Sequence, residues 1–203
     1  MILLIRIWGD PILTKKAKAV DRITAKERQL IADMMETMEA ADGAGLAAPQ
    51  VGVAQRIFVF RIGEEMHALI NPKITLREGK RVQPEGCLSI PGVQANVERA
   101  ARVVITGRDE RNKTVEYECE DSEEQGRAAS AVQHELDHLD GVLFLDRAET
   151  DTISWLIEAE DEEGEEVIEM LETSPQEILQ AYKTRRLPRD VHIQEMLWER
   201  LEK

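Results

Sequence analysis

The stretch Gln133-His134-Glu135-Leu136-Asp137-His138 constrains this chain more than any other. Its His-Glu-x-x-His core has a joint explanation on an α-helix. There the spacing stacks both imidazoles on one face, about one turn apart, within reach of a single metal ion. Glu135 follows the first of them directly and points along the rim of the same site, where a carboxylate can take a proton from a water that the metal activates. A polar helix whose two histidines merely face solvent would explain neither the spacing nor the glutamate.

The rest of the composition bounds what can surround such a helix. With 203 residues, 42% of them hydrophobic, the chain can bury the core of one domain with an appendage or of two small domains. Its formal charge of −14 argues against broad binding to nucleic acid, DNA included, or to anionic membranes. The acidity is uneven, with 17 acidic against 7 basic residues from Asp146 onward. Two cysteines, Cys87 and Cys119, are too few for a disulfide framework. The opening Met-Ile-Leu-Leu-Ile run meets Arg6 at once and lacks the basic flank of a signal peptide, and no apolar run is long enough to cross a membrane. A soluble, cytoplasmic protein is expected.

Along the chain, an extended arm with a turn at Gly9-Asp10-Pro11 precedes a helix beginning at Thr24. Thr24 and Glu27 form a capping-box pattern, and Leu30, Ile31, Met34, Met35 and Met38 share one apolar stripe. The helix should stop at Asp42-Gly43, with the glycine left-handed. Gly43 to Gly52 then carries almost no bulky side chain, so another strand or a ligand can approach the backbone closely. Strands are expected at Ile57–Ile62, His67–Asn71, Lys73–Arg77, Arg102–Thr106 and Thr114–Cys119, with a hairpin turn at Asp109–Asn112. The metal helix should run from Ser122, capped with Gln125, to Asp140-Gly141. Beyond it, Glu158–Glu166 holds seven carboxylates in nine residues and reads as solvated or disordered. Helices are expected at Pro175–Arg186, with Ser174 as N-cap, and at Val191–Glu202. Trp155 and Trp198 give this tail some apolar surface to bury. His67 and His192 read as packing or surface histidines.

Two histidines leave a catalytic metal one protein ligand short, since three plus an open position is usual. Cys87, in Glu85-Gly86-Cys87-Leu88-Ser89, is the best-placed third ligand, ahead of Cys119 between Glu118 and Glu120. A thiolate ligand favours a softer metal and must be deprotonated to bind it.

Together and in this order, Gly43–Gly52, Glu85–Ser89 and Gln133–Gly141 resemble the three signature motifs of the peptide deformylases, a likeness that covers residues 1–147. The resemblance implies an α+β fold in which antiparallel sheets pack around the metal-binding helix, with an N-terminal helix. Residues 1–147 would be the catalytic domain and 148–203 an acidic, partly helical extension. It implies a hydrolase that removes the formyl group from N-formylmethionine on nascent polypeptides, and one divalent metal ion, Fe²⁺ natively, with Zn²⁺ or Ni²⁺ able to serve. By position, Cys87, His134 and His138 are the implied ligands and Glu135 the general base and then acid. Gln50 and the Leu88 N–H are the implied oxyanion donors, and backbone around Ala44, Gly45 and Gly86 the implied docking strand for substrate. Formyl-Met nascent peptides are the implied partners, with the ribosome a further one.

Two departures stand out. Helical spacing puts Arg127, Ser130 and Ala131 where family members line the methionine pocket with aliphatic residues. The tail is longer and more acidic than the single basic helix of familiar bacterial members. It is expected to be dispensable for hydrolysis of short formyl-peptides, because every implied site residue precedes it. A metallopeptidase, or a binding module that kept the fold without the chemistry, is the competing reading. The first leaves the other two motifs unexplained, and the second is disfavoured by the complete set of chemical residues.

Overall fold

Helix α1 (Ala25–Ala40) forms as its sequence dictates. Thr24 closes a capping box with Glu27, and Ile31, Met34 and Met38 turn into the core while Leu30 and Met35 are half-buried. In this computed structural model, which describes residues 1–161, 163–193 and Leu197, the left-handed residue after α1 is Asp42 at φ 47, not Gly43.

The chain forms two compact units. The first comprises Met1–Arg6, Pro11–Arg81 and Arg99–Leu143. It contains a six-stranded antiparallel sheet built from β1 (Gly45–Ala47), β2 (Ile57–Ile62), β3 (Glu65–Glu78), β6 (Arg102–Arg108), β7 (Thr114–Ser122) and β8 (Gly126–Arg127), in the order β1-β2-β3-β6-β7-β8. Helix α2 (Ala128–Asp140) packs Ala128, Ala129, Val132 and Leu139 against Phe58, Phe60, Leu69, Val103 and Ile105 of that sheet. The two strands expected at His67–Asn71 and Lys73–Arg77 are one. Asn71, at φ 53, holds the Val20 backbone with both ends of its amide, and the register shifts between Ile70 and Lys73, so the chain bulges without leaving the sheet. The Asp109–Asn112 turn forms as expected, its carboxylate accepting from the Arg111 and Lys113 N–H groups.

The second unit comprises Ile7–Asp10, Val82–Glu98 and Phe144–Lys203. Its sheet runs in the order β10-β9-β5-β4, with β4 spanning Arg81–Cys87, β5 Ile90–Arg99, β9 Ser154–Glu160 and β10 Glu166–Glu172. The strand that ends at Cys87 agrees with the β pattern read there, whereas the β9–β10 hairpin is an addition to the expected elements. The acidic run is exposed, in keeping with the solvated alternative, and its described residues form strand and turn. Its carboxylates line an exposed β9–β10 hairpin whose turn is tied by Asp161, which accepts from the Glu163 and Glu165 N–H groups. Like charges repel, but the hairpin is anchored below them: Trp155 pairs with Val93 of β5 and is buried. Helix α3 (Pro175–Thr184) has the expected Ser174 cap and buries Ile178 and Tyr182. A helix from Val191 is overturned at its start. Val191 bridges Ile157 and the His192 N–H donates to the Leu156 carbonyl, so the segment runs along β9. The remainder of that expected helix, with Trp198, lies outside the described residues except for Leu197. No helix among the described residues is long and apolar enough to cross a membrane.

Candidate metal centre

The helix that carries the histidines starts six residues later than its sequence suggests. Ser122 ends β7, and its hydroxyl accepts from the Gln125 N–H within a turn. Helix α2 is capped from a distance, by Asp121 accepting from the backbone N–H and the hydroxyl of Ser130. A carboxylate at a helix N-terminus satisfies orphan donors and complements the macrodipole, whichever element supplies it. At the other end Gly141 is left-handed at φ 76, and a Cβ there would lie 2.8 Å from the Thr14 carbonyl.

Within α2, His134, Glu135 and His138 are all buried. The two imidazole centroids lie 4.9 Å apart, one helical turn along a shared face. Burial, the neighbouring His134 and the Arg99 guanidinium push the His138 pKa well down, so its ring is neutral, the form that binds a metal. The Cys87 thiol and one nitrogen from each of these histidines all lie within 4.8 Å of one another. One thiol and two imidazoles form a donor set suited to a soft or borderline divalent metal, so the residues present fit the ion that the motifs imply. Cys119 is elsewhere. It is buried in the apolar core beside Val103, and burial pushes its thiol up to about 12.

Gly45 lies against Glu135: a Cβ on the glycine would sit 2.5 Å from the carboxylate Oε1. Its strand, β1, is the edge of the six-stranded sheet, and Leu46 and Ala47 pair with Val59 and Phe58 of β2. Gln50, at the end of the small-residue tract, is buried in a short 3₁₀ turn (Ala48–Val51). Its side-chain oxygen accepts from the Ala47 N–H at 2.7 Å, which fixes which end of the amide faces which way. Cys87 ends β4, and Leu88-Ser89 make the tight turn into β5. Gly86 is exposed on β4, the other outer strand of its own sheet.

The polypeptide deformylase family model matches residues 2–153. The chain belongs to this family. A peptide deformylase from Dictyoglomus turgidum is 46% identical over 148 residues, covering 73% of this chain and 94% of that relative. One from Halothermothrix orenii is 49% identical over 148 residues, covering 72% and 93%. Among solved structures, the peptide deformylase of Thermotoga maritima superposes with a TM-score of 0.69 at 43% identity, covering 73% of this chain and 99% of that one. The family match ends just before β9.

In this deformylase-family chain, several residues around the histidines are given no role by the sequence. Arg99 and Asp137 form a buried ion pair at 2.5 Å behind the helix. Gln133 clasps Ala100 through both its amide oxygen and its amide nitrogen, and Arg56 donates to the Leu139 carbonyl and pairs with Asp140. Arg99, Asp137, Gln133 and Arg56 are all polar side chains that a sequence alone would send to solvent. Of the residues expected around the methionine pocket, Arg127 is exposed, Ala131 is buried, and Ser130 is buried with its hydroxyl on Asp121. His67 is a packing histidine between Phe60 and Tyr117, and His192 is paired with Glu158.

Proposed function

We propose that this chain removes the formyl group from N-formylmethionine at the start of nascent polypeptides, releasing formate, with Cys87, His134 and His138 holding one divalent metal ion. The observation that carries this reading is the gathering of those three donor groups beside a buried glutamate. Bound there, the metal supplies an acidified water and a positive charge beside the formyl oxygen. Glu135 takes the proton of the attacking water and returns it to the leaving amine. The Gln50 amide, with its oxygen anchored on Ala47, offers its NH₂ end to the developing oxyanion, and the Leu88 N–H in the β4–β5 turn is the second donor. Backbone at Ala44, just before β1, at Gly45 on β1 and at Gly86 on β4 holds the substrate as an added strand. Arg127, Ser130 and Ala131 line the pocket for the methionine side chain.

Membership of the deformylase family makes Fe²⁺ the proposed native ion, with Zn²⁺ or Ni²⁺ as substitutes that the same thiolate and imidazoles can hold. The chemistry resides in residues 1–147, and 148–203 is an extension of that catalytic domain. The protein acts in the cytoplasm. A ribosome contact would use basic ribosomal proteins, given the acidity of the tail, or the local cluster of Lys183, Arg185, Arg186 and Arg189. The test is formyl-Met-Ala-Ser with the metal-loaded enzyme. Formate release supports the reading, whereas peptide cleavage or no product overturns it.

A further inference from the structure

The segment that follows Cys87 is held chiefly by residues beyond the family match, Trp155, Tyr182, Val191 and Ile193, with Trp8 and Thr152 inside it. The Tyr182 hydroxyl of α3 donates to the Pro91 carbonyl at 2.7 Å, in a buried setting. The Tyr182 ring packs edge-on to Trp155, centroids 5.9 Å apart, and Trp155 in turn pairs with Val93. A Cβ at Gly92 would lie 2.8 Å from the Val191 side chain and 2.9 Å from that of Ile193. Further along, the Asn96 N–H donates to the Thr152 hydroxyl. On the near side of the turn, the Trp8 N–H donates to the Ser89 carbonyl. Burial pushes the Tyr182 pKa well up, and the nearby Cys87 thiol adds to the shift, so the hydroxyl keeps the proton it donates.

This bracing matters because β4 is an outer strand of its sheet and pairs on one side only. An outer strand and its turn open more easily than a central one. Cys87 and Leu88 sit where that strand meets its turn. A ligand and an oxyanion donor both lose effect when they drift by fractions of an ångström.

We infer that Tyr182 is a positioning residue: through the Pro91 carbonyl, the C-terminal extension fixes the Cys87-Leu88-Ser89 turn and hence the thiolate presented to the metal. The inference rests on the metal reading above. It runs against the expectation of a dispensable tail, because Trp155 and Tyr182 both contact β5.

The test compares the full-length chain with Tyr182→Phe, loaded with Zn²⁺ for release to a chromophoric chelator and with Co²⁺ for the thiolate-to-metal charge-transfer band. Tyr117→Phe, which removes a half-buried hydroxyl from the other sheet, is the control. Tyr182→Phe is expected to release metal about tenfold faster, the low end for a residue behind a ligand. Its charge-transfer band should move, and kcat should fall several-fold with KM held within about twofold. Tyr117→Phe should match the parent in all three. Metal release and a band unchanged in Tyr182→Phe overturn the inference, even where its melting temperature falls, since that is the behaviour of a merely structural tyrosine. Should Tyr182→Phe not fold, Trp155→Leu removes the ring that packs against Tyr182 and keeps the hydroxyl. Release at the parent rate in that variant overturns the inference equally. The metal reading fails separately, if the parent binds no Zn²⁺ or if Cys87→Ala binds as much.

Discussion

Gly45 and Glu135 approach so closely that a single added carbon on the glycine would stand 2.5 Å from the carboxylate oxygen and 2.8 Å from its carbon. The backbone of Gly45 is not left-handed, so space and not conformation demands the glycine. An alanine there must displace the carboxylate to which the proposed function assigns the proton transfers. Gly45→Ala is therefore expected to lower kcat by about 100-fold while metal content stays at the parent level. Glu135→Gln should do the same without disturbing β1. Metal analysis beside steady-state kinetics checks both, and a loss of metal in Glu135→Gln would assign the glutamate a ligand's role instead.

The two cysteines should part company. Cys87→Ala is expected to lose metal and activity together. Cys119→Ala should keep both, at a cost of about 1 kcal/mol for the small core cavity. In the native metal-free protein a thiol reagent should label one cysteine quickly, Cys87. The second should react only on unfolding, because Cys119 is fully buried with its thiol pushed up to about 12. Equal metal occupancy in the two variants would remove Cys87 from the ligand set.

Arg99 carries a buried cation for Asp137, and both are almost fully inaccessible. Breaking such a pair from one side costs about 3–5 kcal/mol, so Arg99→Ala should lower the urea midpoint by a corresponding amount. A surface-like loss below about 1 kcal/mol would mean that water reaches the pair.

The capping box of α1 predicts an acid dependence. Hydrogen bonds from the Thr24 hydroxyl and backbone, and then from Gln55, hold the Glu27 carboxyl near 2, against an ordinary value of 4.5. A carboxyl depressed on folding contributes stability that is fully present above its unfolded value and lost as pH falls through the folded one. The stability gap between the parent and Glu27→Gln should thus be widest above about pH 4.5 and close as pH falls toward 2. Denaturant titrations across that window check it; a gap that does not narrow would detach the carboxylate from the cap.

Selectivity at the methionine pocket should be shallow. Ser130 spends its hydroxyl on Asp121, Ala131 is small, and Arg127 lies exposed, so the wall proposed for these residues would carry little aliphatic surface. Formyl-Phe-Ala-Ser should be accepted within about tenfold of formyl-Met-Ala-Ser in kcat/KM, the low end of methylene-scale discrimination. A preference for methionine of about 100-fold or more would show that other residues fill the pocket.

Much of the site was legible because its signals are local. The imidazole spacing of α2, the Thr24 and Ser174 caps and the small-residue tract each follow from neighbours within one or two turns. The start of α2 was not, because its capping carboxylate, Asp121, comes from β7 and displaces the Ser122 cap that the sequence offers. The tail misled for a related reason. Its charges are visible in sequence, while the pairings that order them, Trp155 with Val93 and Ile157 with Val191, join distant segments.

The sequence alone determined the donor types, the helix that carries two of them and the glutamate beside them. Those choices rest on covalent spacing and helical period, which do not depend on what packs nearby. Only the tertiary structure decided that Gly45 must lack a side chain, that Arg99 and Gln133 hold the helix, and that the acidic extension braces β5. Each of these is a contact between residues tens of positions apart, fixed by shared burial and hydrogen-bond satisfaction, and neither leaves a periodic trace in the chain.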